Sequence, residues 1–489
     1  MDVETGLASR AAPKRIADLD GPRGWPLLGN LLQLDLPQIH EQLEGWAKVY
    51  GPLYRLRIGS RDALVVARPE LIAGILRDRP DGWSRLRTME AVIHEMGIDG
   101  VFAAEGEAWR RQRRLVTAAF TPGHMKRYFP LIERMTERLK ELLDQAARTG
   151  TRIELQTMLM RYSVDVTASL AFGIDVNTMQ QPDNPLQQHL DQVFPTLMRR
   201  MNAPFPFWRY IKLPSDRAFD RHLAAGHAAV KSFVQAARDR MAENPALAEH
   251  PTNLLEAMLA ARDADGGTLS EAELTGNVFT MLLAGEDTTA NTLAWCLYLL
   301  HTHPQTWRAV VAEVDAALGT EVIPRSVQVA GGLTMIDDCS NEAMRLRPVG
   351  PLGYLENNVP TEIEGIALPA GSFVLCTMRS GAVDTSTAAD AAEFRPSRWR
   401  VAATAADDPA ADAGDRRLTT ASMPFGAGPR ICPGRYLAML EIKMVLATIA
   451  RNYELIEVGT ADGAPPREHM AFTMSPVGLR MKIRARGAC

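Results

Sequence analysis

The sequence predicts a mainly α-helical domain carrying a small β lobe. Helix-period apolar patterns run from about residue 85 to 350 and again from 430 to 455, and one of them spans about 32 residues. Short alternating runs near 50–70, 350–380 and 470–485 have strand character. No Gly/Ser- or Pro-rich linker divides the 489 residues, so 1–20 reads as a polar tail and 21–489 as one domain.

Taken in order, Gly21-Pro-Arg-Gly-Trp-Pro-Leu-Leu-Gly29 is a turn-rich lead-in stiffened by Pro22 and Pro26. A helix from Pro37 to Tyr50 stops at Gly51-Pro52, and Leu53–Ile58 with Ala63–Ala67 forms a hairpin around Gly59-Ser-Arg-Asp62. The helix holding Trp109-Arg-Arg-Gln-Arg-Arg114 ends at Thr121-Pro122. Trp109 and Arg113, four apart, share a face from which an indole N–H and a guanidinium can reach one anion. Tyr128, Ile132, Met135, Leu139 and Leu142 then step as a core-facing helix, and helical pattern continues to about Glu243, interrupted by the apolar Pro204–Trp208.

The longest helix runs from Ser270 to His303, opened by a capping box of Ser270 and Glu273 and closed before Pro304. At 1.5 Å per residue it is about 48 Å long, enough to cross a domain. Both flanks of its middle are apolar, except at Glu286-Asp-Thr-Thr289, and Gly285 beside those threonines predicts a local bulge. An acid beside a hydroxyl in a buried helix is costly unless it serves chemistry, although an interhelical hydrogen bond explains the pattern equally well when it is read alone. Glu342 and Arg345 are an i, i+3 pair on a helix that ends at Arg347-Pro348. Strand-like stretches flank the turn Leu368–Ser372, and Arg398 offers a further guanidinium. Val401–Asp415 reads as a surface loop, and Phe472–Pro476 with Leu479–Ile483 as a closing hairpin.

Composition excludes several classes. The net charge is −4, from 54 basic and 58 acidic residues, which implies no bulk attraction for nucleic acid or membranes. Glu286 and Asp287 exclude the longest helix as a membrane span. The five cysteines, Cys296, Cys339, Cys376, Cys432 and Cys489, are odd in number and scattered, which argues for a reducing compartment. Residues 1–8 contain no apolar run, and the reading is a soluble cytoplasmic protein.

The chemistry concentrates in Phe425-Gly-Ala-Gly-Pro-Arg-Ile-Cys-Pro-Gly434. A thiol where a glycine-rich loop turns into a helix faces the positive end of the dipole and unpaired N–H groups, which favour thiolate. Such a sulfur suits iron. Gly426, Gly428 and Gly434 permit φ > 0 and close approach to a flat partner, and Arg430 sets a charge near the sulfur; a porphyrin with acid side chains needs both. A dinucleotide loop lacks its third glycine, a phosphate loop lacks Gly-Lys-Ser/Thr, and zinc lacks neighbouring ligands. A lone cysteine, considered without the rest of the chain, is more often a buried structural residue.

In order and spacing these motifs resemble the cytochrome P450 family, from the Pro-rich lead-in to the last hairpin. The resemblance implies a helical body with the long helix crossing over haem b. It makes Cys432 the axial iron ligand with Phe425 and Gly434 beside it, and gives Trp109, Arg113 and Arg430 to the haem propionates. Ala284-Gly-Glu-Asp-Thr-Thr289 is similar to the oxygen-activating helix, which assigns Asp287 and Thr288 to proton delivery. Glu342, Arg345 and Arg398 match a buried ion-pair set. Thr280 and Ala284, which share the Thr288 face at four-residue steps, line the implied pocket, with Val349–Leu355 and Phe472–Met474 as walls by resemblance. Two positions depart from the family pattern: Ser397 stands where a Glu usually precedes the Arg, and Glu356-Asn-Asn358 where many members offer a basic residue to a propionate.

The implied reaction is insertion of one oxygen atom from dioxygen into an apolar small molecule. Electrons come ultimately from NAD(P)H through a separate ferredoxin or flavodoxin-type donor with its reductase, and the protein is a monomer. Arg110, Arg111, Arg114 and Arg435 are candidates for attracting that acidic donor. A peroxide-driven peroxygenase and a haem sensor are the rivals on the same fold; Asp287-Thr288 argues against the first.

Overall fold

The structure, a computed structural model, describes residues 13–487 apart from 182–191, 202, 204, 263–265 and 405–412. Its helical body is built around the helix Glu271–Thr302, 32 residues long. The capping box forms: the Ser270 backbone N–H donates to Glu273 at 2.8 Å, and the Glu273 N–H to Ser270 Oγ at 3.3 Å. This central helix packs along Leu155–Phe172, whose residues from Tyr162 to Phe172 are all buried.

Gly285 sits at that contact. A Cβ there would lie 2.4 Å from Thr167 Oγ1, so the two backbones approach as they do because no side chain intervenes. The bulge expected over Gly285–Thr289 does not form, and the helix runs unbroken. Thr288 Oγ1 donates to the Ala284 carbonyl at 2.7 Å and Thr292 Oγ1 to the Thr288 carbonyl at 2.8 Å, so the hydroxyls back-bond to the preceding turn without displacing it.

The β lobe is a five-stranded sheet whose strands lie side by side as β2 (Leu53–Ile58), β3 (Arg61–Val66), β9 (Phe373–Thr377), β6 (Leu352–Asn357) and β4 (Trp83–Arg85). β2 and β3 form the expected hairpin, Leu53 opposite Val66. β3 runs parallel to β9, while β6 is antiparallel to both β9 and β4. A satellite core of Ile16, Leu64, Val66, Ile72, Leu355 and Val374 lies beneath this lobe.

Three sequence expectations change. The polar tail is not free up to residue 20: β1 (Lys14–Arg15) pairs with β8 (Ile366–Leu368) and Ile16 is buried, because an apolar residue beside an open strand edge gains by docking; residues 1–12 lie outside the described residues. The closing hairpin divides between two sheets. β12 (Met474–Pro476) pairs with β11 (Glu468–Met470), whereas β13 (Arg480–Ala485) joins β10 (Tyr453–Gly459) and β5 (Ile153–Glu154) against the helical body. Gly478 at φ 71° turns the chain between them, and the Leu479 carbonyl accepts the Leu155 N–H at 3.0 Å. Finally, of the surface loop expected over Val401–Asp415, residues 405–412 lie outside the described residues, but Ser397–Thr404 and Ala413–Ala421 are helical and Asp415 is buried. Among the described residues no helix is long and apolar enough to cross a membrane.

Candidate functional site

The cysteine loop is closed on itself by the Cys432 N–H, which donates to the Phe425 carbonyl at 2.9 Å. Gly426 and Gly428 take φ of 75° and 68°, as expected, and a Cβ on Gly428 would lie 2.6 Å from Arg77 Cα and from the Leu76 carbonyl. Gly434 differs: its φ is −83° and it is the N-cap of the helix Arg435–Asn452, so its part is to start that helix beside the sulfur. Cys432 is exposed, while Cys296, Cys339 and Cys376 are buried; Cys489 lies outside the described residues. Crowding by protein pushes the Cys432 thiol up, and the N–H groups of Gly434 and Arg435 with the Arg113 charge pull it back only in part. The helix start therefore favours thiolate in the expected direction without outweighing the loss of solvation to the protein packed around the sulfur.

Around this loop the structure gathers residues far apart in sequence. Arg113 Nη2 donates to the Ile431 carbonyl at 2.7 Å. Trp109 is buried, and the Arg430 guanidinium lies 4.7 Å over its ring. Arg430 donates to the Ala104 carbonyl at 2.6 Å and pairs with Glu105. Two arginines that sequence reading missed join them: Arg79 meets Glu105 at 3.3 Å, and the Arg85 backbone N–H donates to Glu105 at 3.0 Å. Burial and the neighbouring Arg79 bring the Arg85 guanidinium down to about 9. Arg430 falls to about 10, mainly through burial, with Arg79 and Arg113 adding to the fall and Glu105 opposing it.

Above the buried core, one strip of the central helix stays accessible. Thr280, Met281, Ala284, Asp287 and Thr288 are partly or fully exposed in the middle of a helix otherwise enclosed. Thr280 Oγ1 donates to the Gly276 carbonyl at 2.7 Å and lies where a Cβ on Gly100 would come within 2.5 Å of it. Thr473 Oγ1 reaches Asp287 at 3.5 Å. Next to Thr473, Phe472 stacks on Phe194 with ring centres 4.7 Å apart and meets Phe102 edge-on at 6.0 Å. The Met474 N–H donates to the Val349 carbonyl at 2.8 Å, which joins the two expected wall segments. Phe102 and Phe194 carry no local sequence signal; tertiary packing alone brings them to Phe472.

The sequence pattern described as cytochrome P450 matches residues 19–483. The chain belongs to the cytochrome P450 family. It is 27% identical to cytochrome P450 3A31 of Mesocricetus auratus over 454 residues, covering 89% of this chain and 85% of that protein. A bifunctional cytochrome P450/NADPH–P450 reductase of Gibberella moniliformis is 27% identical over 487 residues, covering 96% of this chain and 40% of the relative. The crystal structure of a cytochrome P450, CYP102L1, superposes with a TM-score of 0.80 at 25% identity, covering 97% of this chain and all of that one. This P450 is a haem-thiolate monooxygenase, an oxidoreductase.

The residues present fit haem. An accessible thiol flanked by backbone donors can ligate iron, and close by are guanidinium groups whose buried Nε atoms (Arg79, Arg85 and Arg430) have no partner among the described residues. An accessible helix strip bearing an acid and a hydroxyl completes the set.

The ion-pair set of this P450 is assembled in the core. Glu342 meets Arg345 and Arg398 at 2.8 Å each, and all three side chains are 0% exposed. Burial pushes the Glu342 carboxyl up, but Arg345, the Arg395 backbone N–H and Arg398 bring it below its usual value. Arg345 also donates to the carbonyls of Ala382 at 2.5 Å and Ala391 at 2.6 Å. Asp415 also pairs with Arg398, and Asp390 approaches it at 3.6 Å. Of the basic residues expected to face an electron donor, Arg114 and Arg435 are exposed. Arg111 is not available: it pairs with Glu273 and donates to the Thr268 carbonyl at 3.0 Å, anchoring the start of the central helix. Arg110 pairs with Asp81 and Glu107 on the rim of a 420 Å³ cleft that Arg77, Arg79 and Arg114 also line.

Proposed function

We propose that this P450 oxygenates an apolar small molecule with one atom of dioxygen, using electrons that originate in NAD(P)H and arrive through a separate ferredoxin or flavodoxin-type protein. The observation that carries this reading is that one domain holds both an accessible Cys432 at the start of a helix and an accessible Thr280–Thr288 strip on an otherwise buried helix. Haem b, when bound, supplies dioxygen binding and reductive O–O cleavage, which an anionic sulfur ligand favours.

The chain's own residues do the rest. Cys432 ligates the iron, with Phe425 and Gly434 shaping its loop. Trp109, Arg113 and Arg430 hold the acid side chains of the porphyrin. Thr288 Oγ1, which here donates to the Ala284 carbonyl, can turn its proton toward the accessible side of the helix. Asp287 passes protons to that hydroxyl from the Thr473 side, where the two side chains come within 3.5 Å. Phe472, Phe194 and Phe102 keep water out and, with Thr280 and Ala284, give an apolar substrate its binding surface. Arg114 and Arg435 offer exposed positive charge to an acidic donor. The fusion of one relative to a reductase supports electron supply from NADPH.

The test is the absorption spectrum of the reduced, haem-loaded protein under carbon monoxide, followed by turnover with surrogate ferredoxin and reductase. A red-shifted Soret band that Cys432→Ser abolishes, with product formed at the expense of NAD(P)H, is the expected result. Turnover with hydrogen peroxide alone and none with the reductase would instead make it a peroxygenase.

A further inference from the structure

The strand pair β11–β12 ends in the turn that carries Phe472 and Thr473, where the Ala471 N–H donates to the Thr473 carbonyl at 3.1 Å. Glu468 stands at the other end of the pair, opposite Pro476 and about 13 Å along the strand from Phe472. Its side chain is 5% exposed, and three separate parts of the chain meet it. His40 Nε2, in the first turn of the helix Ile39–Tyr50, lies 2.6 Å from one carboxylate oxygen. Arg379, just beyond β9, donates through Nη1 to both oxygens at 2.8 Å. Arg347, at the end of the helix Thr334–Leu346, approaches at 3.1 Å.

These contacts form one charge-matched unit. Arg379 also holds Glu44, on the same helix as His40, at 2.8 Å, so two acids and two guanidinium groups are gathered together. The Arg347 guanidinium lies 5.4 Å over the ring of Trp295, which belongs to the central helix. Burial pushes the Glu468 carboxyl up, but the His40 contact and the Arg379 and Arg347 charges bring it down to about 2, so it is ionised at neutral pH. His40 Nδ1 is buried without a partner among the described residues, which leaves Glu468 to fix that ring. The ligand atoms of His40, Glu41 and Glu468 lie within 4.8 Å of one another, as they would around a cation, but the Arg379 and Arg347 charges already face the Glu468 oxygens and repel a metal ion. The cluster is therefore an anchor. A two-stranded pair as short as β11–β12 needs one, because it is not rigid by itself.

Resting on the reading of Phe472 as part of the substrate surface, we propose that Glu468 is a positioning residue: its ties to His40, Arg379 and Arg347 fix the β11–β12 turn, and so set where the Phe472 ring stands beside the accessible strip of the central helix and which apolar molecules fit there. The test uses the haem-loaded protein and two probes that bind haem iron through an imidazole nitrogen, each followed by the Soret shift on titration. Imidazole is small and reports access to the iron alone, whereas 4-phenylimidazole adds an apolar ring whose binding depends on the surrounding wall. Glu468→Gln is expected to weaken 4-phenylimidazole about tenfold and imidazole less than about twofold. Phe472→Ala should weaken 4-phenylimidazole by a similar factor, and adding Glu468→Gln to it should cost less than about a further twofold, since both act through one ring. Glu468→Asp, which keeps the charge on a shorter stem, should fall between wild type and Gln. If Glu468→Gln does not fold, Arg347→Gln, at a side chain 39% exposed, takes its place with the same expected pattern.

The red-shifted carbon monoxide band should persist in every variant. Its absence from wild type would remove the haem-thiolate reading, whereas the results that overturn this proposal leave the band in place. Those results are unchanged 4-phenylimidazole affinity in the Gln variants, equal weakening of both probes, or losses that add in full in the double variant. Any of them would make the cluster a support of the fold with no hold on Phe472.

Discussion

At the scale of single residues, the consequences follow from where protons and charges are held. Removing the Thr288 hydroxyl leaves the Ala284 carbonyl with its backbone partner and the helix intact, so Thr288→Ala should fold normally. It should consume NAD(P)H at a rate within about twofold of wild type while product falls about tenfold or more and hydrogen peroxide accumulates, as measured by coupling. Unchanged coupling would remove Thr288 from proton delivery. Glu441 makes a separate prediction. It is 1% exposed on the helix that follows the cysteine loop, and burial raises its carboxyl well above 4.5, the neighbouring Ser163 relieving this only in part. A carboxyl whose folded pKa is raised contributes fully below the unfolded value and costs stability as pH rises beyond it, by up to about 1.4 kcal/mol per pH unit. Thermal unfolding at about pH 5 and about pH 8 should therefore show a smaller fall in melting temperature for Glu441→Gln than for wild type. A slope equal to that of wild type would mean that Glu441 is ionised in the fold.

At the scale of elements, the contact between the central helix and Leu155–Phe172 is set by a missing side chain. A Cβ at 285 overlaps Thr167 Oγ1 at 2.4 Å, and Thr167 is itself buried on a packed helix and has little room to yield. Gly285→Val should destabilise by about 3 kcal/mol in denaturant unfolding, and Thr167→Ala should recover part of that loss in a double-mutant cycle. Additive effects would show that the two residues do not share the contact. The same helix illustrates how far local pattern reaches. Its capping box and length are legible because they depend on neighbours three and four residues apart. The purpose of Gly285 is not, because its partner belongs to another helix, and the bulge expected from its composition is absent.

At the scale of the whole molecule, the Glu342, Arg345 and Arg398 set ties the helix Thr334–Leu346 to the chain around Ala382, Ala391 and Asp415. Replacing Arg398 with Met leaves the carboxylates of Glu342 and Asp415 enclosed with one cation fewer. The loss expected is about 3–5 kcal/mol, seen as a lower melting temperature and reduced haem content after purification. A variant as stable as wild type would show that the set is dispensable. Haem should raise the melting temperature of wild type by an amount that grows with the logarithm of its concentration over its dissociation constant, since it binds only the folded chain.

What the sequence determined by itself is the local structure whose parts are contiguous: the cysteine loop with its positive-φ glycines, the Ser270–Glu273 cap, and the hairpin of β2 and β3. Each depends on backbone geometry within a few residues, and that geometry is written in glycine, proline and capping side chains. Tertiary structure alone decided which distant groups complete them. Asp415 pairs with Arg398 from beyond the helix that holds it, Arg79, the Arg85 backbone and Arg430 meet at Glu105, Arg111 turns to Glu273 rather than outward, and the last two strands join different sheets. These outcomes rest on strand pairing and on the need to match each buried charge with an opposite one, and neither is a property of any local stretch of chain.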